Sequence, residues 1–274
     1  MALSVNTNRG VMVALQNLTT TNKALERTQL NTTTGLRVNG PKDDASTYAI
    51  AQNMRGDIAG LGAVRTALSN AEATVNVALT AAEEVSDLLL EMKAKAVQGN
   101  QAGIDATSRT ALTNDFLALR DQIDEVVRSA EFNGVNLVEN GAADLEVLTR
   151  VDGSTFTVSA TPIQAITLQF GLPGADLYTS ANAQTSLAIV ETAIVTVSEA
   201  LSTLGSAAKR IDIQNDFTGK LMDIFKAGIG NLVDADLAQE AAELQALQTK
   251  QQLGVQALGI ANSSPQTILS LFNG

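Results

Sequence analysis

Three carboxylate pairs, Asp43-Asp44, Glu83-Glu84 and Asp234-x-Asp236, are the groups in this chain best placed for acid–base or metal chemistry. The residues that usually complete such sites are missing. The 274 residues contain no cysteine and no histidine, so a thiolate nucleophile, a Ser-His-Asp triad and a Cys/His zinc site are all excluded. Carboxylates, lysines or a Ser-Lys pair remain as the only catalytic options. Helix caps and solvated faces account for the three pairs, because each falls where an acid favours a helix start or faces solvent. Gly40-Pro41-Lys42-Asp43-Asp44 lacks the spacing and the Gly-Lys-Ser/Thr ending of a phosphate loop. Gly228-x-Gly230 follows a helix and lacks the third glycine of a dinucleotide fingerprint, so it reads as a helix-to-helix joint. No catalytic residue, cofactor or metal site is expected, and the chain does not read as an enzyme.

With chemistry set aside, the pattern of the helices carries the information. At the front an apolar seam runs Val11, Leu15, Leu18, Asn22, Leu25, Gln29, Thr32; at the back it runs Leu237, Ala241, Leu244, Gln248, Gln251, Val255, Leu258, Asn262. Both alternate three- and four-residue steps, which keep one stripe facing a partner helix, but amides and hydroxyls interrupt them. In the middle, Leu61, Val64, Leu68, Ala71, Val75, Ala78, Ala82, Val85, Leu89, Met92 and Ala96 form an unbroken seam. A shorter seam follows at Leu112, Phe116, Leu119, Ile123, Val126, Ala130, and a long one along Leu187, Val190, Ile194, Val197, Leu201, Leu204, Ala208, Ile211, Asn215, Thr218, Met222, Phe225. The middle can fold alone; the ends need partners, and Asn22, Gln29, Gln248 and Gln251 are expected to keep them soluble until those partners arrive.

Punctuation divides the chain accordingly. An Asp or Ser46 after Gly40-Pro41-Lys42 caps the first long helix, Gly99-Asn100 and Gly103 end it, and Asp105 opens the next. Phe132-Asn133-Gly134 ends that helix. Val135–Leu137, Leu145–Leu148, Phe156–Val158 and Ile166–Leu168 are β-prone runs separated by Asn140-Gly141, Asp152-Gly153 and two prolines, which predicts one or two hairpins. Helical period returns after Ala181, breaks at Gly228-Ile229-Gly230-Asn231 and resumes behind an Asp236/Gln239 cap. The fold class is mainly α: an elongated antiparallel helical bundle or coiled coil with a small β-hairpin region at one end.

Eighteen basic against 29 acidic residues give a net charge of −11, which opposes nucleic-acid binding and favours solubility. Met1 to Gly10 has no basic segment followed by an apolar run, so no secretory signal peptide is expected. No stretch reads as long and apolar enough to span a membrane, so membrane insertion is not expected. A cytoplasmic protein and one exported by a signal-free route both fit.

Several motifs then resemble one family. Val233-Asp234-Ala235-Asp236-Leu237-Ala238, Gln251-Gln252-Leu253-Gly254-Val255-Gln256-Ala257-Leu258, Ile260-Ala261-Asn262, Pro265-Gln266 and Ile268-Leu269-Ser270-Leu271-Phe272 resemble the C-terminus of bacterial flagellins. Val5-Asn6-Thr7-Asn8, Thr21-Asn22, Thr34-Gly35-Leu36-Arg37-Val38-Asn39, Lys42-Asp43-Asp44-Ala45 and Phe132-Asn133-Gly134 match the family's first half, and the short centre is similar to alphaproteobacterial members. The resemblance implies a homopolymer: a subunit of the extracellular flagellar filament that drives swimming. It also implies export without a cleaved signal peptide, and a chaperone, secretion apparatus, hook-associated proteins and a cap protein as partners.

It divides the chain into an inner-tube helix (1–34), a connector (35–45), core bundle helices (46–134), a β-rich surface segment (135–178), a C-terminal core helix (179–229) and a C-terminal inner-tube helix (230–274). Polymerisation is expected to use Val11, Leu15, Leu18, Asn22, Leu25, Leu237, Leu244, Gln248, Gln251, Val255, Leu258, Leu269 and Leu271 in the terminal seams, with Gly35, Arg37, Asn39, Asp43 and Asp44 in the connector. A hook–filament junction protein, which shares the terminal helices, is the alternative. Two departures from the family pattern bear on contacts. Asn31-Thr32 stands where Arg followed by Leu or Ile is usual. Lys93-Ala94-Lys95 stands where the form read by the innate-immune receptor has Arg-Glu-Leu, so weak or no receptor activation is expected.

Overall fold

The computed structural model describes residues 8–171 and 174–272; Val5-Asn6-Thr7, Pro173 and the side chains of Leu269 and Leu271 lie outside the described residues. The order is α1 (Arg9–Thr34), α2 (Ala45–Gly99), α3 (Ala106–Ser129), β1 (Glu131–Phe132), β2 (Val135–Asn136), β3 (Leu145–Leu148), β4 (Thr155–Val158), α4 (Ala165–Gln169), α5 (Ser180–Val233) and α6 (Leu237–Phe272). Two units hold these elements: residues 57–223, and residues 1–56 together with 224–274.

In the unit of residues 57–223 every seam residue read on α2, from Leu61 to Ala96, is buried. Phe116, Ile123 and Val127 of α3 and Val190, Ala193, Val197, Ala200, Leu204 and Ile211 of α5 join the same core. Asp105 caps α3, its carboxylate accepting from the Thr107 and Ser108 N–H groups at 2.9 and 3.0 Å. The Arg109 guanidinium donates to the carbonyls of Gly99 (2.7 Å), Gln101 (3.2 Å) and Leu177 (3.4 Å), which satisfies the end of α2 and ties it to the strand-rich segment.

Both hairpins form. β1 and β2 pair antiparallel across Asn133-Gly134, where φ is 51° and 80°, the left-handed values a two-residue hairpin turn requires. β3 and β4 pair from Leu145↔Val158 to Leu148↔Thr155. The hairpin lies on α5: the Arg210 guanidinium stacks 4.2 Å above the Phe156 ring and Gln214 donates to the Thr149 carbonyl at 3.3 Å. The fourth β-prone run, Ile166–Leu168, is instead within the short helix α4, because Ile163, Ile166 and Phe170 are each drawn into the core. Phe170 meets Phe116 edge-on, ring centres 5.8 Å apart. Burial here overrides β-branched preference.

Two further expectations change. α5 does not break at Gly228-Ile229-Gly230-Asn231 but runs through to Val233. A side chain at Gly228 would press within 2.9 Å of the Met54 methyl, so this glycine permits close packing on α2 rather than a joint. α5 also holds a stretch of mean hydropathy 1.5, long and apolar enough to cross a membrane by length and composition, contrary to the expectation that none exists. Its Ala, Val, Ile and Leu content supplies the α5 stripe of the core just described.

Candidate functional site: the paired terminal helices and their connector

In the unit of residues 1–56 and 224–274, α1 and α6 lie antiparallel. Four contacts fix their register: Asn8 Nδ2 donates to the Ala261 carbonyl (2.8 Å), Leu18 packs on Gly254, Gln251 Nε2 donates to Asn22 Oδ1 (2.8 Å), and Asn31 Nδ2 donates to Glu240 Oε1 (3.0 Å). At Gly254 a Cβ would stand 3.2 Å from Leu18 Cδ1, so the missing side chain lets the helices close.

The seam these contacts define shares every second position with the one read in the sequence and moves by one residue at the positions between. On α1 the inward residues are Val11, Ala14, Leu18, Thr21-Asn22, Leu25, Thr28 and Asn31-Thr32; on α6 they are Glu240, Leu244, Leu247, Gln251, Gly254, Leu258 and Ala261. Of the expected residues, Val11, Leu18, Asn22, Leu25, Leu244, Gln251 and Leu258 do meet there. Leu15, Leu237 and Val255 are 54%, 53% and 57% exposed, and Gln29 and Gln248 are exposed as well. The error has a physical source. A weakly apolar helix offers several stripes with the same three-four spacing, and small partners such as Ala14 and Gly254 carry little hydropathy yet decide which stripe fits. Among the described residues of the two helices, Thr28 and Asn31 on α1 and Leu247 on α6 are the buried ones, so the described pair contains far less apolar burial than the α2 seam.

The connector joins this pair to α2 by hydrogen bonds rather than bulk. Gly35, at φ 72°, turns the chain out of α1 while its N–H donates to the Asn31 carbonyl at 2.8 Å. Leu36 bridges to Asp234, the Arg37 N–H donates to the Val233 carbonyl (2.7 Å), and the Ala235 N–H donates to the Gly35 carbonyl (2.9 Å). The Arg37 guanidinium donates to the Leu232 carbonyl at 2.8 Å, capping the C-terminal end of α5. Asn39 Nδ2 donates to Asn31 Oδ1 (3.0 Å) and to the Leu36 carbonyl (2.9 Å).

Asp43 accepts the N–H groups of Asn39 and Gly40 at 3.0 and 3.2 Å, and Asp44 caps α2 by accepting from the Ser46 and Thr47 N–H groups at 3.0 and 3.1 Å. The Thr47 hydroxyl, donating at 2.6 Å, holds the Asp44 carboxyl below its ordinary value; the Thr47 N–H adds to this, against a small opposing cost of burial. Val38, Ala51 and Val233 form the small core beneath these bonds, with Leu36, Tyr48, Ile229 and Leu232 against it. Asp236 caps α6 through the Ala238 and Gln239 N–H groups, as expected. No group of three or more carboxylates that could hold a metal occurs among the described residues. The arrangement is built to join helices, with the carboxylates of Asp43, Asp44, Asp236 and Glu240 each accepting from backbone or side-chain N–H groups.

Residues 5–142 match the bacterial flagellin N-terminal helical region and residues 187–272 the bacterial flagellin C-terminal helical region. The chain belongs to the bacterial flagellins. It is 44% identical over 274 residues to flagellin FljK of Caulobacter vibrioides, covering 99% of this chain and all of that one, and 36% identical to a flagellin of Brucella melitensis over 99% of both. The crystal structure of Bacillus cereus flagellin is similar at a TM-score of 0.50 and 26% identity, over 54% of this chain and 86% of that one. A putative flagellar hook-associated protein from Vibrio parahaemolyticus shares the fold, at a TM-score of 0.57 and 14% identity, over 70% of this chain and all of that one.

The family is structural, and this flagellin is a self-polymerising subunit of the flagellar filament that serves motility. Whole-chain matches to flagellins favour that role over the hook–filament junction alternative. Sequence reasoning missed Thr28, Asn31, Glu240, Leu247 and Gly254. The Asn31 departure from the family pattern was the one available signal: Glu240 faces an amide at this position in place of an arginine.

Proposed function

We propose that this chain polymerises through its terminal helices and connector, and that the α1–α6 pair becomes stable only when other copies cover it. One observation carries this reading: the seam inside the chain buries mostly small and polar residues, while Leu15, Leu237 and Val255 lie outside it and exposed. An isolated helix is marginal in water, and a seam held by the Asn22–Gln251 and Asn31–Glu240 bonds adds little apolar burial to help it. Ordering the ends therefore costs free energy in the monomer. Burial of the outer residues, at roughly 25 cal/mol per Å2, offsets that cost once neighbours are present.

On this reading, residues 1–34 and 230–274 are the inner assembly helices, 35–45 the connector, 46–134 and 179–229 the bundle, and 135–178 the surface segment. Leu269 and Leu271 belong to the same set of assembly residues. The subunit is not an enzyme, is exported to the extracellular flagellum without a cleaved signal peptide, and meets an export chaperone, the secretion apparatus and the hook-associated and cap proteins on the way. Amide hydrogen exchange compares free monomer with sedimented filament. Residues 9–34 and 237–263 should exchange rapidly in the monomer and become protected in the filament. Equal protection in both states would rule the reading out. Asn22→Leu with Gln251→Leu should strengthen the pair in the monomer and cause aggregation before assembly, read by light scattering of purified chain.

A further inference from the structure

Asparagine precedes glycine at Asn39-Gly40, Asn133-Gly134, Asn140-Gly141 and Asn273-Gly274, the last of these outside the described residues. This dipeptide is chemically reactive in water, because glycine has no side chain to keep its backbone nitrogen away from the asparagine carboxamide. Once that nitrogen loses its proton to hydroxide, it attacks Cγ. A C–N bond closes a cyclic imide, the bond from Cγ to Nδ2 breaks, and ammonia leaves. Water then opens the imide at either carbonyl and leaves aspartate or isoaspartate, with a negative charge where none stood. The reaction needs a glycine N–H that is free, a carboxamide that can turn, and solvent at both.

The fold meets these needs at one pair and withholds them at another. In the connector, the Gly40 N–H donates to Asp43 Oδ2 at 3.2 Å, and the Asn39 N–H donates to the same oxygen at 3.0 Å. The Asn39 carboxamide is held as well, Nδ2 donating to Asn31 Oδ1 (3.0 Å) and to the Leu36 carbonyl (2.9 Å). The Asp43 carboxylate also opposes the reaction by charge, since the attacking nitrogen would become an anion beside it. At Asn133-Gly134 the residues are exposed, but the Phe132↔Val135 and Glu131↔Asn136 pairing closes on both sides of the turn and limits its rotation. Asn140 and Gly141 are exposed, and among the described residues neither the Asn140 carboxamide nor the Gly141 N–H has a hydrogen-bond partner. Their turn is held by the Ala142 N–H on the Glu139 carbonyl (3.3 Å) and the Asn140 N–H on Gln164 Oε1 (3.0 Å), bonds that leave the reacting atoms free.

We infer that Asn140-Gly141 is a site of spontaneous deamidation, and that Asp43 keeps the Asn39-Gly40 pair of the connector from the same reaction by holding the Gly40 N–H. The consequences of modification differ in the same sense. An acid at position 39 would lose both Nδ2 donations and stand against Asp43, and an isoaspartate would lengthen the backbone between α1 and α2. An acid at position 140 breaks no side-chain hydrogen bond and lies on an exposed turn. The chain therefore accumulates negative charge in the segment that tolerates it and not in the segment that joins its helices.

The test incubates the full-length chain at mildly alkaline pH and samples it over time. Peptide mass mapping counts amide-to-acid conversion at each pair, and a protein isoaspartate methyltransferase reports the isoaspartate product. Asn140 should convert at least about tenfold faster than Asn39, the factor set by first breaking a hydrogen bond to a charged group, with Asn133 between them. In urea that unfolds the chain the three rates should converge, because glycine follows each asparagine. Asp43→Ala should raise conversion at Asn39 by about tenfold and leave Asn140 unchanged. Asn31→Ala, which frees the carboxamide but leaves the Gly40 N–H held, should raise it less. Equal rates at Asn39 and Asn140 in the folded chain, or the same order persisting in urea, overturn the assignment of the site. Equal acceleration by Asn31→Ala and Asp43→Ala overturns the role of Asp43, since general loosening would then explain both. If Asp43→Ala fails to fold, Asp43→Asn replaces it: an acceptor stays, the charge goes, and Asn39 should still convert faster than in the unaltered chain. An unchanged rate there overturns the role of Asp43.

Discussion

Asn31 links three segments with one carboxamide: its Nδ2 reaches Glu240 on α6, its Oδ1 accepts from Asn39 in the connector, and its backbone carbonyl accepts from Gly35. Asn31→Ala removes the first two bonds and should cost about 1–3 kcal/mol, two hydrogen bonds at about 0.5–1.5 kcal/mol each. Asn31→Asp sets a second carboxylate against Glu240 and should cost more. Amide exchange checks both, accelerating around residues 28–39 and 237–244 while the α2 seam keeps its protection. Asp44 makes a pH-dependent contribution of definite sign. Its carboxyl is held below the ordinary value by the Thr47 hydroxyl and N–H. The stabilisation is therefore full above the ordinary carboxylate value and is lost as pH falls through the lowered folded value. Asp44→Asn keeps an acceptor at the cap without the titration. The variant should melt below the unaltered chain at neutral pH, and the gap in thermal midpoint should close in acid; a constant gap across that range would show the charge to be irrelevant.

Among the elements, α2 was fully legible in the sequence and α6 was not, and one physical difference explains both. On α2, Leu68, Val75, Val85, Leu89 and Met92 fall on one unbroken three-four stripe that is wholly buried, while large apolar residues off it, Ile50, Leu90 and Val97, stay exposed. On α6, Leu237, Leu244 and Val255 lie within about 20° of one another and Leu253 and Ile260 lie on another side, and the inward side is chosen by Gly254 and Leu18 fitting together. The connector's glycine, amides and carboxylates were visible as a group from sequence. Their hydrogen bonds to Val233 and Asp234 were not, because they join residues nearly two hundred positions apart. α4 was hidden for a similar reason, since its burial against Phe116 comes from elsewhere in the chain. The contrast sets expectations for substitution. Leu68→Ala or Leu89→Ala should cost about 2–5 kcal/mol through loss of burial and the cavity left behind. Leu253→Ala should scarcely change the monomer's denaturant midpoint while weakening assembly. Arg109→Ala strips the Gly99, Gln101 and Leu177 carbonyls of a shared donor and should loosen the end of α2, seen as faster exchange near residues 96–103.

For the molecule as a whole, charge is divided as unevenly as hydrophobicity. Residues 57–223 contain 22 of the 29 acidic and 10 of the 18 basic residues, a net −12, leaving +1 for residues 1–56 and 224–274 together. The unit with the assembly helices is thus close to neutral, and the α2–α3–α5 bundle repels its own copies. On the proposed reading, two opposing terms control polymerisation: apolar burial on the terminal helices, which salt does not weaken, and repulsion between bundles, which salt screens. The Debye length falls from about 30 Å at 0.01 M to about 8 Å at 0.15 M, so most of the repulsion between neighbouring copies should vanish over that interval. The critical concentration for filament growth, measured by sedimentation from seeds, should therefore fall steeply as salt rises through this range and flatten above it. Glu83→Gln with Glu84→Gln, at exposed positions on α2, should lower the critical concentration at low salt and change little at high salt. Growth driven by ion pairs between copies would show the opposite slope, with critical concentration rising as salt is added, and the neutralised variant would then assemble less well than its parent.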